Sequence, residues 1–187
     1  MSPFKKPSLT AKEKLRPISG FPELLPEERR VELDWIDQIR TIFESYGFTS
    51  IEPRIVEPID VLLKQGDTDK EIYTLGRLLD TPKSDREPTF GLHYDLTIPM
   101  ARYVAANMEK LDFPFKRYQI QKAWRGERPQ DGRFREFMQC DIDVVDTREV
   151  PLHFDVEIPA IMNQALASIN AGPVSVSYTH LRAHETR

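Results

Sequence analysis

Apolar residues recur at helical spacing from Val31 through Trp35, Ile39, Ile42 or Phe43, and Tyr46. Pro26 suits a first helical turn, and Glu27 and Glu28 suit the positive end of the helix dipole. Gly47 is a natural stop. The pattern therefore predicts an amphipathic helix over 26–47 with Trp35 in the core. Residues 48–56 read as a strand in which Pro53 marks an edge or a distortion. A short helix over 61–65, a loop over 66–69, a strand over 71–75, a polar loop over 81–88 and a strand over 90–94 follow. Pro99 starts a helix reaching about residue 110. A last helix is predicted over 152–169, with Phe154, Ile158, Met162, Ala165 and Ile169 on one face. Pro159 lies inside it and should kink it or mark its true start. Residues 1–20 are polar and basic, with three prolines, and read as an N-terminal arm.

Between the last two helices lies the most informative stretch, 115–145. Two strand-like segments flank a loop, 126–132, rich in Arg, Gly and Pro. On the second segment one parity reads Phe134, Glu136, Met138, Cys140, Ile142, Val144. That is the parity expected to face a core. The other reads Arg133, Arg135, Phe137, Gln139, Asp141, Asp143. Cations stand at one end of this polar row and anions at the other, which suits a ligand that is itself anionic at one end and cationic at the other. An exposed hairpin of mixed charge gives no reason for that order.

Composition narrows the picture. The chain of 187 residues has a formal net charge of −4, which argues against a general nucleic-acid coat. Charge is uneven: over 116–136, seven basic residues (Lys116, Arg117, Lys122, Arg125, Arg128, Arg133, Arg135) face three acidic ones. A local cationic zone in an acidic chain suggests a specific anion site such as phosphate. A single cysteine, Cys140, allows no disulfide within the chain and reads as inert core, in keeping with a reducing cytoplasm. No apolar run approaches membrane-spanning length and no apolar leader segment opens the chain, so a soluble, cytoplasmic protein is expected.

Phosphate recognition needs fixed guanidinium forks, which Arg125 and Arg133 would supply from the two strand ends. Phe137 offers a flat face for a base. Gln139 and Asp143, four apart on one face, suit an ammonium group or an imidazole N–H. A second cluster, Gly91-Leu92-His93-Tyr94-Asp95-Leu96-Thr97, ends in two small polar residues at a strand-to-helix junction; capping of the next helix by Thr97 would explain it as well.

These segments resemble a known family. Trp-Arg-Gly-Glu-Arg-Pro-Gln at 124–130 and Gly-Arg-Phe-Arg-Glu-Phe at 132–137 are similar to motif 2 of class II aminoacyl-tRNA synthetases. More narrowly, Leu-His-Tyr-Asp-Leu-Thr at 92–97 and Gln-Cys-Asp-Ile-Asp at 139–143 resemble the histidine-binding segments of histidyl-tRNA synthetases. The resemblance covers about 15–173. It implies an α+β fold, a class II antiparallel sheet flanked by helices, and a homodimer. It implies ATP-dependent activation of histidine to histidyl-adenylate and transfer to tRNA(His), with Mg2+ accompanying ATP and no structural metal.

Carried onto this chain, the resemblance makes Arg125 the catalytic residue at the α-phosphate, with a share in histidine binding. It puts Arg133 on the outer phosphates, Glu127 on the adenine amine and Phe137 under the ring. Asp95, Thr97, Gln139 and Asp143 would bind histidine, and Arg128 and Gln130 would face the tRNA acceptor end.

Departures from the pattern add expectations. The proline of the first class II motif falls one position off, at Pro53, with Arg54 in its place. The later catalytic arginine, the tyrosine-bearing segment, the third motif and the anticodon-binding domain are not found, so the chain reads as a truncated, inactive part of the enzyme. The catalytic-domain portion is expected over 21–176. Residues 177–187 match nothing expected there and read as a non-native tail; His180 and His184, four apart, lack the glutamate of a metalloprotease helix. The alternative reading is a histidine-binding regulatory subunit of ATP phosphoribosyltransferase. The complete set Arg125, Glu127, Arg133 and Phe137 favours the enzyme.

Overall fold

The computed structural model describes residues 15–63, 71–76 and 89–175. The predicted loops over 66–69 and 81–88, most of the arm and the 177–187 tail lie outside them. The chain divides into two compact units: Met1–Leu25, Arg54–Ala101 and Lys122–Gln139 form the first, and Pro26–Pro53, Arg102–Gln121 and Cys140–Arg187 the second.

The elements run α1 (Pro26–Ser45), β1 (Thr49–Ser50), β2 (Val56–Pro58), α2 (Ile59–Leu62), β3 (Thr74–Leu75), β4 (Phe90–Leu92), α3 (Thr97–Asn107), a 3-10 turn (Met108–Lys110), β5 (Phe115–Trp124), β6 (Glu136–Val145) and α4 (Phe154–Ser168). One sheet has the order β1-β5-β6, with β1 parallel to β5 and Thr49 opposite Arg117. The other, β2-β4-β3, is antiparallel, with β4 in the centre.

The predicted strand over 48–56 is thus two short strands. Pro53 has no N–H to give a ladder; its carbonyl instead accepts the side chain of Gln121 (3.2 Å). Beyond it Arg54 grips the buried Glu57 carboxylate through Nη2 (2.8 Å) and Nε (3.2 Å). β2 then enters the antiparallel sheet.

In the second unit, α1 and α4 pack on each other and on the sheet. Ile42, Phe43, Phe48, Tyr118, Ile161 and Ala165 form the core, joined by Cys140, Ile142 and Val144 from β6. Each large apolar side chain so buried contributes about 1.5–3 kcal/mol. The Tyr118 hydroxyl donates to Glu44 (2.6 Å), and that of Tyr46 donates to Gln164 (2.8 Å), tying α1 to its neighbours.

Trp35 does not join this core: it is 46% exposed, and Ile36 is buried in its place. The inward stripe of α1 runs through Ile36, Ile39, Ile42 and Phe43 to Tyr46, so the predicted stripe holds from Ile39 onward and departs from it only at Val31 and Trp35, which are exposed. In α4 the buried residues are Phe154, Ile161 and Ala165, while Met162 is half exposed. The helix starts at Phe154 with Pro159 inside it, so the proline costs only the amide that would have reached the carbonyl of Asp155.

In the first unit, the segment leading to α1 is anchored rather than loose. The carbonyl of Gly20 accepts the amides of Arg135 (2.7 Å) and Glu136 (3.0 Å), and Arg135 Nη1 donates to the Ser19 carbonyl (3.4 Å). Gly20 has φ +83°, and a Cβ there would lie 2.8 Å from Arg135 Cγ, so only glycine fits without strain. Among the described residues no helix is long and apolar enough to cross a membrane.

Candidate functional site

The hairpin tip, 122–139, belongs to the first unit. Arg125 directly follows β5. Its amide donates to the Arg135 carbonyl (2.9 Å), and its Nε donates to the Tyr94 carbonyl (3.0 Å). Its guanidinium lies 5.0 Å from the centre of the Phe137 ring, over its face. Such a contact contributes about 0.5–2 kcal/mol, and it fixes the fork with nitrogens remaining for a ligand. Arg125 and Phe137, expected to meet different parts of a nucleotide, therefore lie against each other, with the guanidinium on one face of the ring.

Glu127 and Arg133 were expected on different parts of a nucleotide; here they form an ion pair with each other. Arg133 also does not open the return strand. It pairs with Gln130 across the loop tip, Gln130 N to Arg133 O at 3.1 Å and the reverse at 2.9 Å. β6 begins at Glu136, because Phe134 turns outward (46% exposed) and Arg135 is taken up by the Gly20 segment. Arg128 and Gln130 are exposed on the loop.

The loop root is held by backbone. The Gly126 amide donates to the Glu71 carbonyl (2.7 Å), and a Cβ at 126 would sit 3.1 Å from that oxygen. Arg135 Nε donates to the Glu127 carbonyl (2.9 Å). Arg135 thus touches the root on both sides, a role its place in the polar row did not reveal.

The 92–97 segment also belongs to this unit. His93 is fully buried, and its Nε2 lies 2.7 Å from the Lys122 carbonyl. A carbonyl only accepts, so Nε2 carries the proton. The His93 carbonyl in turn accepts the Trp124 amide (3.2 Å). These two bonds bring Asp95 and Arg125 into one neighbourhood. Asp95 Oδ1 accepts the amide of Ile98 (3.3 Å), so the first turn of α3 is capped by Asp95 and not by Thr97, which is the helix's first residue and exposed. Gln139 lies on β6, half-buried. On the same strand Glu136 accepts Lys122 Nζ (2.5 Å) and Trp124 Nε1 (2.8 Å). Burial pushes its carboxyl up, but these bonds outweigh it and hold the group below the usual range.

Asp143 belongs to the second unit, where it pairs with the fully buried Arg117. Burial pushes the Asp143 carboxyl up, Arg117 pulls it back, and Asp141 pushes it up again; the outcome is above the usual range. Arg117 had been counted only as one cation of a basic zone. Cys140 is partly buried in the same unit, and burial first, then Asp141 and Glu32, push its thiol up to about 11, which accords with an inert residue packed on the core.

Comparison with known proteins decides the family. The sequence profile of histidyl-tRNA synthetase matches residues 20–186. The chain belongs to the histidyl-tRNA synthetase family. It is 57% identical over 154 residues to the histidine–tRNA ligase of Thermobifida fusca (strain YX), covering 82% of this chain and 35% of that protein. The crystal structure of histidyl-tRNA synthetase from Nostoc sp. PCC 7120 superimposes with a TM-score of 0.72 at 42% identity, over 84% of this chain and 35% of the other. A Bacillus halodurans protein described as an ATP phosphoribosyltransferase regulatory subunit/histidyl-tRNA synthetase gives a TM-score of 0.70 at 21% identity, a likeness of fold alone. This synthetase-family chain spans about a third of the length of the curated relatives it matches.

Proposed function

We propose that the complete protein carrying this chain is a histidine–tRNA ligase, a class II aminoacyl-tRNA synthetase of the cytoplasm acting as a homodimer. The observation that carries this reading is the Arg125 fork, fixed by the Tyr94 carbonyl and the Phe137 ring, on a hairpin inside the family-matched residues 20–186. A histidine carboxylate oxygen attacks the α-phosphorus of MgATP, the bond to the β-phosphate bridge breaks, and pyrophosphate leaves with the electron pair. Arg125 holds the non-bridging oxygens as charge builds there, which is electrostatic stabilisation by a donor already in place. A terminal ribose hydroxyl of tRNA(His) then attacks the acyl carbon of the adenylate, the anhydride C–O bond breaks, and AMP leaves with the electron pair while the hydroxyl gives up its proton.

The remaining roles follow the family resemblance. Phe137 stacks on adenine. Glu127 takes the adenine amine and Arg133 the outer phosphates, so nucleotide binding exchanges their mutual ion pair for two ligand contacts. By the same resemblance Asp95, Thr97, Gln139 and Asp143 are the histidine-binding residues, with Arg125 sharing the carboxylate. Arg128 and Gln130, exposed on the loop, meet the acceptor end of the tRNA. Mg2+ enters with ATP as substrate, and we assign no structural metal.

Histidine-dependent ATP–pyrophosphate exchange by the complete protein tests the reading. Absence of exchange in a folded preparation overturns it. Histidine binding without ATP binding would replace it with the regulatory-subunit function.

A further inference from the structure

Three positions in a row on one face of β5 are polar and buried: Arg117, Gln119 and Gln121. Buried strand positions are ordinarily apolar, and a guanidinium taken from water costs several kcal/mol unless its partners are well placed. Here the three side chains form a directed hydrogen-bond chain. Arg117 Nη1 donates to Gln119 Oε1 (3.3 Å), Gln119 Nε2 donates to Gln121 Oε1 (2.7 Å), and Gln121 Nε2 donates to the Pro53 carbonyl (3.2 Å). Every donor points the same way, away from Arg117. Turning either amide over would set N–H against N–H, so the chain has one arrangement.

Its far end is the Pro53 carbonyl, which belongs to the backbone. Its near end is the Arg117 fork, whose other nitrogen, Nη2, meets Asp143 Oδ2. The pair is one-sided: Arg117 is wholly buried, whereas the Asp143 side chain is 36% exposed. A charge held from behind, with its carboxylate facing outward, is the arrangement of a positioning group more than of a closed structural pair.

We propose that Arg117, braced through Gln119 and Gln121 against Pro53, is the positioning residue that orients the Asp143 carboxylate toward a cationic group of the substrate. Arg117 takes Oδ2, and Oδ1 is the atom presented. The inference rests on Asp143 being a histidine-binding residue. Nothing in the charge count separates Arg117 from its surface neighbours; its burial and its bracing do.

The test is ATP–pyrophosphate exchange by the complete protein, with histidine and ATP varied separately, for Arg117→Met, Arg117→Lys, Gln119→Met and Asp143→Asn. Arg117→Met is expected to raise KM for histidine about tenfold or more, with KM for ATP within about twofold, since a misplaced recognition group costs only the ligand it recognises. Arg117→Lys should recover part of that loss, because it keeps the charge without the fork. Gln119→Met, which leaves the charge and cuts the brace, should raise KM for histidine about two- to fivefold. Should Arg117→Met not fold, Arg117→Lys and Gln119→Met decide. No exchange in the unsubstituted protein overturns the ligase reading itself. A normal histidine KM in Asp143→Asn removes Asp143 from the site and the proposal with it. A raised KM in Asp143→Asn beside unchanged values in the Arg117 and Gln119 variants, or equal rises for ATP and histidine, overturns the positioning role alone.

Discussion

The two halves of one hairpin treat charge in opposite ways. Near the tip, in the first unit, Glu127 pairs with Arg133 and Lys122 with Glu136, and in each pair the cationic side chain is about half exposed. At the base, in the second unit, Arg117 is wholly buried and tied into a chain of amides. Exposed pairs contribute about 0–1 kcal/mol and are readily exchanged for a ligand. A buried partner cannot be exchanged without an uncompensated charge remaining inside. The tip is therefore built to give up its contacts, and the base is built to keep them.

That contrast can be broken by substitution, and the largest effect belongs to the tip's function. Arg125→Ala should lower exchange in the complete protein about 100-fold or more, the scale of losing one preplaced donor at a developing charge. Its stability by urea unfolding should fall by no more than about 2 kcal/mol, the scale of the ring contact; a larger loss would show that the tip is structural after all. At the base, Phe43→Ala should cost about 3–5 kcal/mol by leaving a cavity. Arg117→Met should cost about 3 kcal/mol, the low end for a broken buried pair because Asp143 is partly exposed; both are read by urea unfolding.

Smaller effects sharpen the same line. Glu136 has a folded-state pKa below its ordinary 4.5, so the stability it lends is present above about pH 4.5 and is lost as pH falls through the lowered value. Glu136→Gln should flatten that acid limb in a pH series of unfolding midpoints, whereas an unchanged limb would mean the Lys122 and Trp124 contacts do not persist in solution. Glu127→Gln should change stability by less than about 1 kcal/mol and yet weaken ATP binding, measured by titration calorimetry.

Much of this was legible in the sequence because local chemistry and tertiary packing agree. Pro26 and Gly47 bracket α1, and the alternation of Cys140, Ile142 and Val144 puts that half of β6 on the core. The misreadings fall where packing chose between near-equal local options. Ile36 and Trp35 are adjacent apolar residues, and only tertiary packing decides which of the two is buried. Phe134 and Arg133 continue the strand parity on paper, but the carbonyl of Gly20, more than a hundred positions earlier, captures the amides of Arg135 and Glu136 and sets where the strand begins. Asp95, rather than Thr97, caps α3 because the helix starts two residues before Pro99. Arg117 was legible in principle: a cation with glutamines two and four positions later on one strand, and Asp143 on the next to pair with it, suits a buried polar line. Arg125 and Phe137 meet because the hairpin connection brings the end of β5 beside the start of β6.

The bond from the Gly126 amide to the Glu71 carbonyl has a consequence in time as well as in place. The amides of Arg125, Gly126, Arg135 and Glu136 are all engaged at the loop root, whereas the tip beyond them is closed by the reciprocal Gln130–Arg133 bridge. Deuterium should therefore enter the tip amides well before the root ones, dividing the loop into a slow anchor and a fast finger. A hinge defined in this way leaves the finger able to exchange its contacts while Arg125 beneath it stays in place.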